Sequence, residues 1–559
     1  MNNRRMWAWL FVTALLGLSC QLVTGTGSGN PAAAYGVKRD EGLFLAGGQP
    51  QTLDPATTLS GPDSIVGHVF SGLVQLDTQL QVQPDLAAGW QVSEDGTLYT
   101  FFLRHNAVFH DGRPVTAADV VFSWERATDP GLASDTALTY LGDIVGVAEK
   151  VSGAADHIAG VRQLDDYTLQ VQIDAPKVYF LAKLTLPVAF VVDRENVAAP
   201  DWEHHANGTG PFRLQVWKDD EIIVLDRNEQ YYRTPPALAH VVVLMGAGIP
   251  LSLYETGQID MVGVGGSTLE RLRDVDNPLS TELQMSVDFC TSYVGFNAGA
   301  PPFDDVRVRQ AFTLAIDREQ LARTLFGEDA ILASGPLPPG MPGYQPPNPL
   351  PFDISQARQL LAEAGYPNPT DLPPITFATD GYEDIGPLVT TLITRWRQNL
   401  GVTITPTLID PYRYSQSLYD NPANLFTYGW CADYPDPENF LDVLYYSGSP
   451  QNLGRFHDAD LDALLLQARS TADVTARLAL YAQTEQRLVA AAPALFITHP
   501  LSAILVKPTI YGYTLTPMGV PQWQNLSRQS SPQVNLPKLT GQDSGPSYNA
   551  ATRRSICRN

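Results

Sequence analysis

The chain is poor in cysteine, in positive charge and in long apolar runs, and each shortage narrows what it can be. Four cysteines stand in 559 residues, at positions 20, 290, 431 and 557, and no two have CxxC spacing. That argues against a zinc ribbon and against a thioredoxin-like redox pair. Lys and Arg number 36 against 59 Asp and Glu, a formal net charge of −23. So acidic a chain is a poor candidate for nucleic acid or an anionic membrane surface, and no nucleic-acid partner is expected. Cationic and zwitterionic small ligands stay open. Past the first twenty residues no segment reaches the roughly eighteen apolar residues of a membrane helix. Catalytic signatures are missing too: there is no GxxxxGK[ST] loop, no GxSxG elbow and no HExxH motif. His204-His205 beside Glu203 are adjacent residues, which seldom face one site. His110 sits before an Asp111-Gly112 turn, and Asp380, Glu383 and Asp384 lack the spacing of a calcium loop. The expectation is a non-enzyme with no cofactor and no metal.

What is present is an ordinary globular composition, 44% hydrophobic and 17% charged, long enough for two to four domains. Residues 1–20 read as an export signal. Arg4 and Arg5 precede a short run from Met6 to Ser19, apolar apart from Thr13 and Ser19. The run stops at Cys20, a position that resembles the lipobox of bacterial lipoproteins, although Gly17 stands where that pattern has Leu. Lipidation of Cys20 is expected; the alternative is an ordinary signal with an incidental cysteine. Residues 21–40 read as a flexible tether. If Cys20 carries lipid and Cys557 lies in the polar tail, Cys290 and Cys431 remain as a candidate pair, closing a loop of about 140 residues worth up to roughly 5 kcal/mol.

Strands and helices mix along the chain, giving an α/β or α+β class. Leu43–Leu45 suggest a first strand, and Ile65, Val66, Val69, Phe70 and Leu73 follow at helical spacing. Asp95-Gly96 marks a turn between two strands. Thr116 with Asp119 forms a capping box before a helix. Hairpins are expected over Val161–Ile173 and around Lys218–Asp220, and a buried strand over Val241–Leu244. Pro301–Phe326 reads as one helix capped by Asp304 or Asp305. Gly365 and Gly401 end two further helices, a strand follows over Val402–Ile409, and Pro493 stops a helix over Val474–Ala491.

The stretch Gly429–Phe440, GWCADYPDPENF, puts an aromatic, a cysteine and a carboxylate (Trp430, Cys431, Asp433) within four residues on a proline-stiffened backbone. It could hold a cationic group such as a free amine. The plain alternative is a solvated acidic loop. Asp436 and Glu438 are read as turn and surface residues.

Eleven stretches occur in order: LDPATT, FSGLVQLD, PDLAAGW, VSEDGTLYTFFLR, FHDGRPVTAADVVFSWERATDP, GTGPFRL, RNEQYY, CTSYVGFNAGAPPFDDVRVRQAF, LLAEAGYP, GWCADYPDPENF and LVKPTIYGY. Together they resemble the extracytoplasmic solute-binding proteins of peptide ABC importers, solute-binding family 5. The resemblance implies an α/β, two-lobed periplasmic-binding-protein-like fold with a hinge and an extra inserted domain. By analogy, residues 41–72, 205–289 and 507–530 form the first lobe, 73–204 the inserted domain, 290–506 the second lobe and 531–559 a polar tail. It implies that Asp433 pairs with a peptide ammonium, a charge-assisted bond worth roughly 1.5–3 kcal/mol. Trp430, Gly429 and Tyr293 match cleft positions, with Tyr140 and Thr52 as further ligand contacts, and Cys290 is bridged to Cys431. The implied partners are an oligopeptide ligand, the permease subunits of an ABC transporter and a membrane reached through the lipid anchor; the implied state is a monomer, in the periplasm or at the outer face of the cell membrane. Alternatives are a binder of a nickel chelate or oligosaccharide, a ligand-sensing receptor without transport, and a secreted hydrolase. An arginine found before the Trp in some relatives is absent, since Leu425-Phe426-Thr427-Tyr428 stand there.

Overall fold

A computed structural model describes residues 30–58, 65–327, 329–520 and 522–529. The expected export signal, Cys20, the tether up to residue 29, Cys557 and the tail from residue 531 lie outside the described residues. Strand β1 (Gly42–Gly47) opens the chain's large sheet. Strands β2 (Ala87–Val92), β3 (Leu98–Leu103), β4 (Val161–Asp165) and β5 (Thr168–Gln172) form a separate four-stranded antiparallel sheet in the order β2-β3-β5-β4. The large sheet then adds β6 (Phe212–Lys218), β7 (Ile222–Arg227), β8 (His240–Met245), β9 (Met261–Gly263), β10 (Cys290–Phe296), β11 (Ile375–Asp380), β12 (Ile404–Ile409), β13 (Leu425–Cys431) and β14 (Ala494–Val506). Its order is β12-β11-β13-β10-β14-β9-β1-β8-β7-β6.

Strand β14 joins the two halves of that sheet. Its first residues pair with β10, as Ala494 with Gly295 and Thr498 with Ser292. Its last pair with β9, as Ile504 with Gly263 and Val506 with Met261. Between them it is laced to Ala330–Leu332 and to Leu283–Val287. From Thr498 to Val506 every residue of it has a partner on a neighbouring strand.

Local chemistry explains most element ends. Helix α1 (Ala117–Ala127) starts at the expected box: Thr116 N donates to Asp119 Oδ2 at 2.8 Å. Its Trp124 is fully buried, and the indole donates to Ala189 O at 2.9 Å, so truncation to Ala would cost about 3–5 kcal/mol. Among the short helices that follow are α2 (Ala137–Leu141) and α3 (Phe180–Lys183). The expected single helix over 301–326 is two, α4 (Val306–Leu314) and α5 (Arg318–Leu325). Asp317 makes the break: its side chain accepts from Gln320 N at 2.9 Å and starts α5 as an N-cap. Helices α6 (Ile354–Glu363) and α7 (Pro387–Leu400) end at Gly365 and Gly401 with φ of +97° and +75°. The remaining helices named below are α8 (Pro411–Asp420), α9 (Glu438–Tyr445), α10 (Ala459–Ser470) and α11 (Val474–Ala491). No helix among the described residues is long and apolar enough to cross a membrane.

Two expectations change. The apolar run from Ile65 is helical only over Val66–Val69, because Val69 O accepts from Gly210 N at 2.9 Å and draws the chain onto the GTG turn. A Cβ at Gly208 would stand 1.9 Å from Val69 O, which is why glycine occupies that turn. Residues 30–40, read as tether, are packed: Ala32 and Val37 are buried beside Phe44, and Arg39 pairs with Asp260 at 2.7 Å.

Candidate functional site

The second half of the large sheet presents an unpaired edge. Strand β13 pairs with β10 along its whole length, but with β11 only at Leu425 and Phe426. Beyond those residues the strands part. The Tyr414 hydroxyl of α8 fills the fork, 2.6 Å from Thr427 O and 3.1 Å from Ala378 O. Cys290 and Cys431 face one another across β10 and β13, disulfide-bonded, with Cα atoms 4.0 Å apart. That spacing marks a non-hydrogen-bonded antiparallel pair, so every second residue of β13 turns its N–H and C=O away from β10. Gly429 and Cys431 therefore offer their backbone groups to the open side. Gly429 is exposed, and a Cβ there would meet only Thr291 O, at 3.6 Å.

Just past this edge, Asn439 of α9 holds the acidic turn. Its Oδ1 accepts from Trp430 Nε1 and from Asp433 N, both at 3.0 Å, and its Nδ2 donates to Asp433 Oδ2 at 3.2 Å. Asp433 is half-buried, so its carboxylate keeps some contact with solvent. Burial pushes its pKa up; bonding to Asn439 and Tyr140 and the Lys183 charge pull it back. Tyr140, on α2, stands beside Asp433, and burial together with that carboxylate raises its phenol pKa. Two residues nearly three hundred positions apart thus share one polar contact.

The remaining expected residues fall elsewhere. Tyr293 is 6% exposed, its ring 6.0 Å from that of Tyr428 and 6.2 Å from that of Phe496. Thr52 is half-buried, and its hydroxyl donates to Glu203 at 2.7 Å, away from the β13 edge in sequence and in bonding. His204 bonds Asp201 at 2.7 Å and stacks on Trp217, and no group of three metal-ligating side chains occurs among the described residues.

Asp436 and Glu438 are not the surface residues expected from the sequence. Asp436 takes both guanidinium nitrogens of Arg477 on α11, at 2.6 and 2.8 Å. Glu438 is 6% exposed and accepts from the Tyr434 hydroxyl. Burial pushes it up to about 7. Asp442, one turn on, pairs with Arg469 of α10, and burial pushes it up to about 6. Charge patterning suggested solvent; the cations paired with Asp436 and Asp442 lie dozens of residues downstream, on α11 and α10. Asn439 was missed as well, since an Asn after an acidic run carries no local signal.

The chain is 31% identical to the periplasmic oligopeptide-binding protein OppA of Salmonella typhimurium, covering 90% of this chain and 94% of the relative. It is 31% identical to a periplasmic protein of Escherichia coli, YgiS, named as deoxycholate-binding, over 83% and 89% of the two chains. The solved structure of the Escherichia coli murein tripeptide binding protein MppA matches with a TM-score of 0.72 at 27% identity, over 88% of this chain and 99% of that one. The family model of the bacterial extracellular solute-binding proteins, family 5 Middle, matches residues 81–452. On these likenesses and its two-lobed fold, the chain belongs to family 5 of the bacterial extracellular solute-binding proteins.

Proposed function

We propose that this protein captures oligopeptides outside the cytoplasm and delivers them to the permease of an ABC importer. The observation that carries the reading is the open edge of β13 ending at Asp433. An extended peptide can add a strand there, bonding to Gly429 and Cys431 through its main chain, while its ammonium meets the Asp433 carboxylate. Trp430 and Tyr140 flank that position, and Tyr293 is a further proposed ligand contact. Thr52 is the proposed contact from the opposite lobe. The lobes are divided as the resemblance implies, with the chain crossing between them near Cys290 and near Lys507. Binding works by closure, which is favourable only if the closed form holds ligand better. The protein acts without catalysis, as a monomer, anchored to the outer face of the membrane by lipid on Cys20 after loss of its export signal.

An anionic bile acid would meet a carboxylate in this site, which favours peptide over the ligand class named for YgiS. Denaturing mass spectrometry of the protein purified from its producing cells tests the reading. Short peptides with free N-termini are expected in the extract. A recovered steroid, chelate or saccharide, with no binding of added peptides to the stripped protein in calorimetry, would refute it.

A further inference from the structure

The acids behind Asp433 form a cluster shared by two parts of the chain. From the segment 431–442 come Asp433, Asp436, Glu438 and Asp442. From the segment 137–186 come Asp143, Lys177, Lys183 and Tyr179, and from α10 and α11 come Arg469, Arg477 and Tyr481. Tyr179 stacks on Tyr434, with centroids 6.2 Å apart, and lies under the Arg477 guanidinium at 5.5 Å. Lys183 is 7% exposed and donates to Asp143 Oδ2 at 2.9 Å. Lys177 donates to Asp143 Oδ1 at 2.7 Å and also pairs with the exposed Asp174. Lys183 acts on the charges of both Asp433 and Glu438. Tyr434, Tyr179 and Tyr481 face these acids as neutral phenols, their pKa values raised by burial.

The pairing does not balance. Arg477 answers Asp436, Arg469 answers Asp442, and the two lysines share Asp143. Asp433 and Glu438 have no cation in contact, only the more distant charges of Lys183 and, for Glu438, of Arg469, so the carboxylates outnumber the cations. Glu438 has the Tyr434 hydroxyl and no cation in contact, and Asp442 Oδ2 is buried without a partner. Ionised carboxylates this deep are costly unless paired. The unliganded cluster therefore keeps a proton, and an arriving cation can replace it.

We propose that capture of a ligand ammonium at Asp433 expels a proton from the carboxylate cluster of Asp433, Glu438 and Asp442. The step is a plain exchange: the O–H bond of one carboxylic acid breaks, its proton passes to solvent, and the ligand brings the replacing positive charge. This rests on the peptide reading above. Because the bound state holds fewer protons, affinity rises with pH while the cluster titrates. The slope is at most about tenfold per pH unit, between about pH 5 and 7, and flattens once every acid is ionised.

Calorimetry of a free-amine tripeptide at pH 6.5 tests this, run in buffers of different ionisation enthalpy and corrected for the ligand's own amine. The expected release is about 0.3 to 1 proton per peptide bound. It should fall by at least half in Glu438→Gln, whose pH profile of affinity should also flatten. Binding with no buffer dependence in the native protein would overturn the proposal, even if the variant fails to fold. So would full release in a folded Glu438→Gln, which would show that Glu438 takes no part in the exchange. Failure of any peptide to bind would instead overturn the peptide reading, and this inference with it.

Discussion

Replacing Asp433 with Asn asks whether this carboxylate distinguishes a peptide's free amine from a blocked one. The substitution preserves shape, and the structure says how it would sit. Asn439 Nδ2 donates to Asp433 Oδ2 at 3.2 Å, so the new amide would keep its oxygen toward Asn439. Its NH2 would then face the ligand, where an ammonium needs an acceptor. The backbone bond from residue 433 to Asn439 Oδ1 does not depend on the side chain and should hold the turn. Loss of a charge-assisted bond of about 1.5–3 kcal/mol corresponds to roughly 10- to 150-fold in affinity. Four titrations make a cycle: native protein and Asp433→Asn, each with a tripeptide and with its N-acetylated form. The native protein should prefer the free amine by at least tenfold, and the variant should bind both forms within about threefold of one another. If Asp433→Asn keeps the full preference for the free amine, the carboxylate is not the partner and the direction assigned to the peptide along β13 is wrong.

Other perturbations test the scaffold. Cys290→Ser with Cys431→Ser removes a bridge that spans 141 residues. It should lower unfolding free energy by up to about 5 kcal/mol in denaturant titration, with a weaker loss in peptide affinity. Gly208→Ala would put a Cβ 1.9 Å from Val69 O. It should destabilise the fold by more than about 3 kcal/mol, read as a lower melting temperature. His68 is buried against Trp523, ring centroids 3.9 Å apart, with neither ring nitrogen bonded, and burial drops its pKa to about 3. A folded pKa below the unfolded one means that stability is present above about pH 6.5 and drains away as pH falls toward 3. His68→Phe should therefore move the acid-unfolding midpoint to lower pH; an unchanged midpoint would refute the assignment.

Features written in consecutive residues were legible in the sequence. The Thr116–Asp119 box, the Asp95-Gly96 turn and the glycine stops at 365 and 401 each need only a handful of neighbours, and each stands where expected. The break at Asp317 was not legible, because an Asp inside an amphipathic run suits a helix's outer face as well as an N-cap. Nor was the burial of Glu438: its partners come from 183, 434 and 469, brought together only when the sheet and the flanking helices assemble. The resemblance pointed to Asp433 and to the Cys290–Cys431 bridge. The role of Asn439 and the parting of β11 from β13 came only with three-dimensional structure, since both depend on how the strands and helices α8 and α9 pack.

Strand β14 gives this molecule a particular mechanics. A protein that opens and shuts on a loose linker must find its alignment afresh at every cycle. Here extended backbone is paired along most of its length from Ala494 to Val506, first to one group of strands and then to another. Such a ribbon has no slack to stretch and resists sliding, yet twist is the softest deformation of a β-ribbon. It should work as a leaf spring, letting the lobes rotate about a fixed line while the faces that meet stay in register from one round to the next.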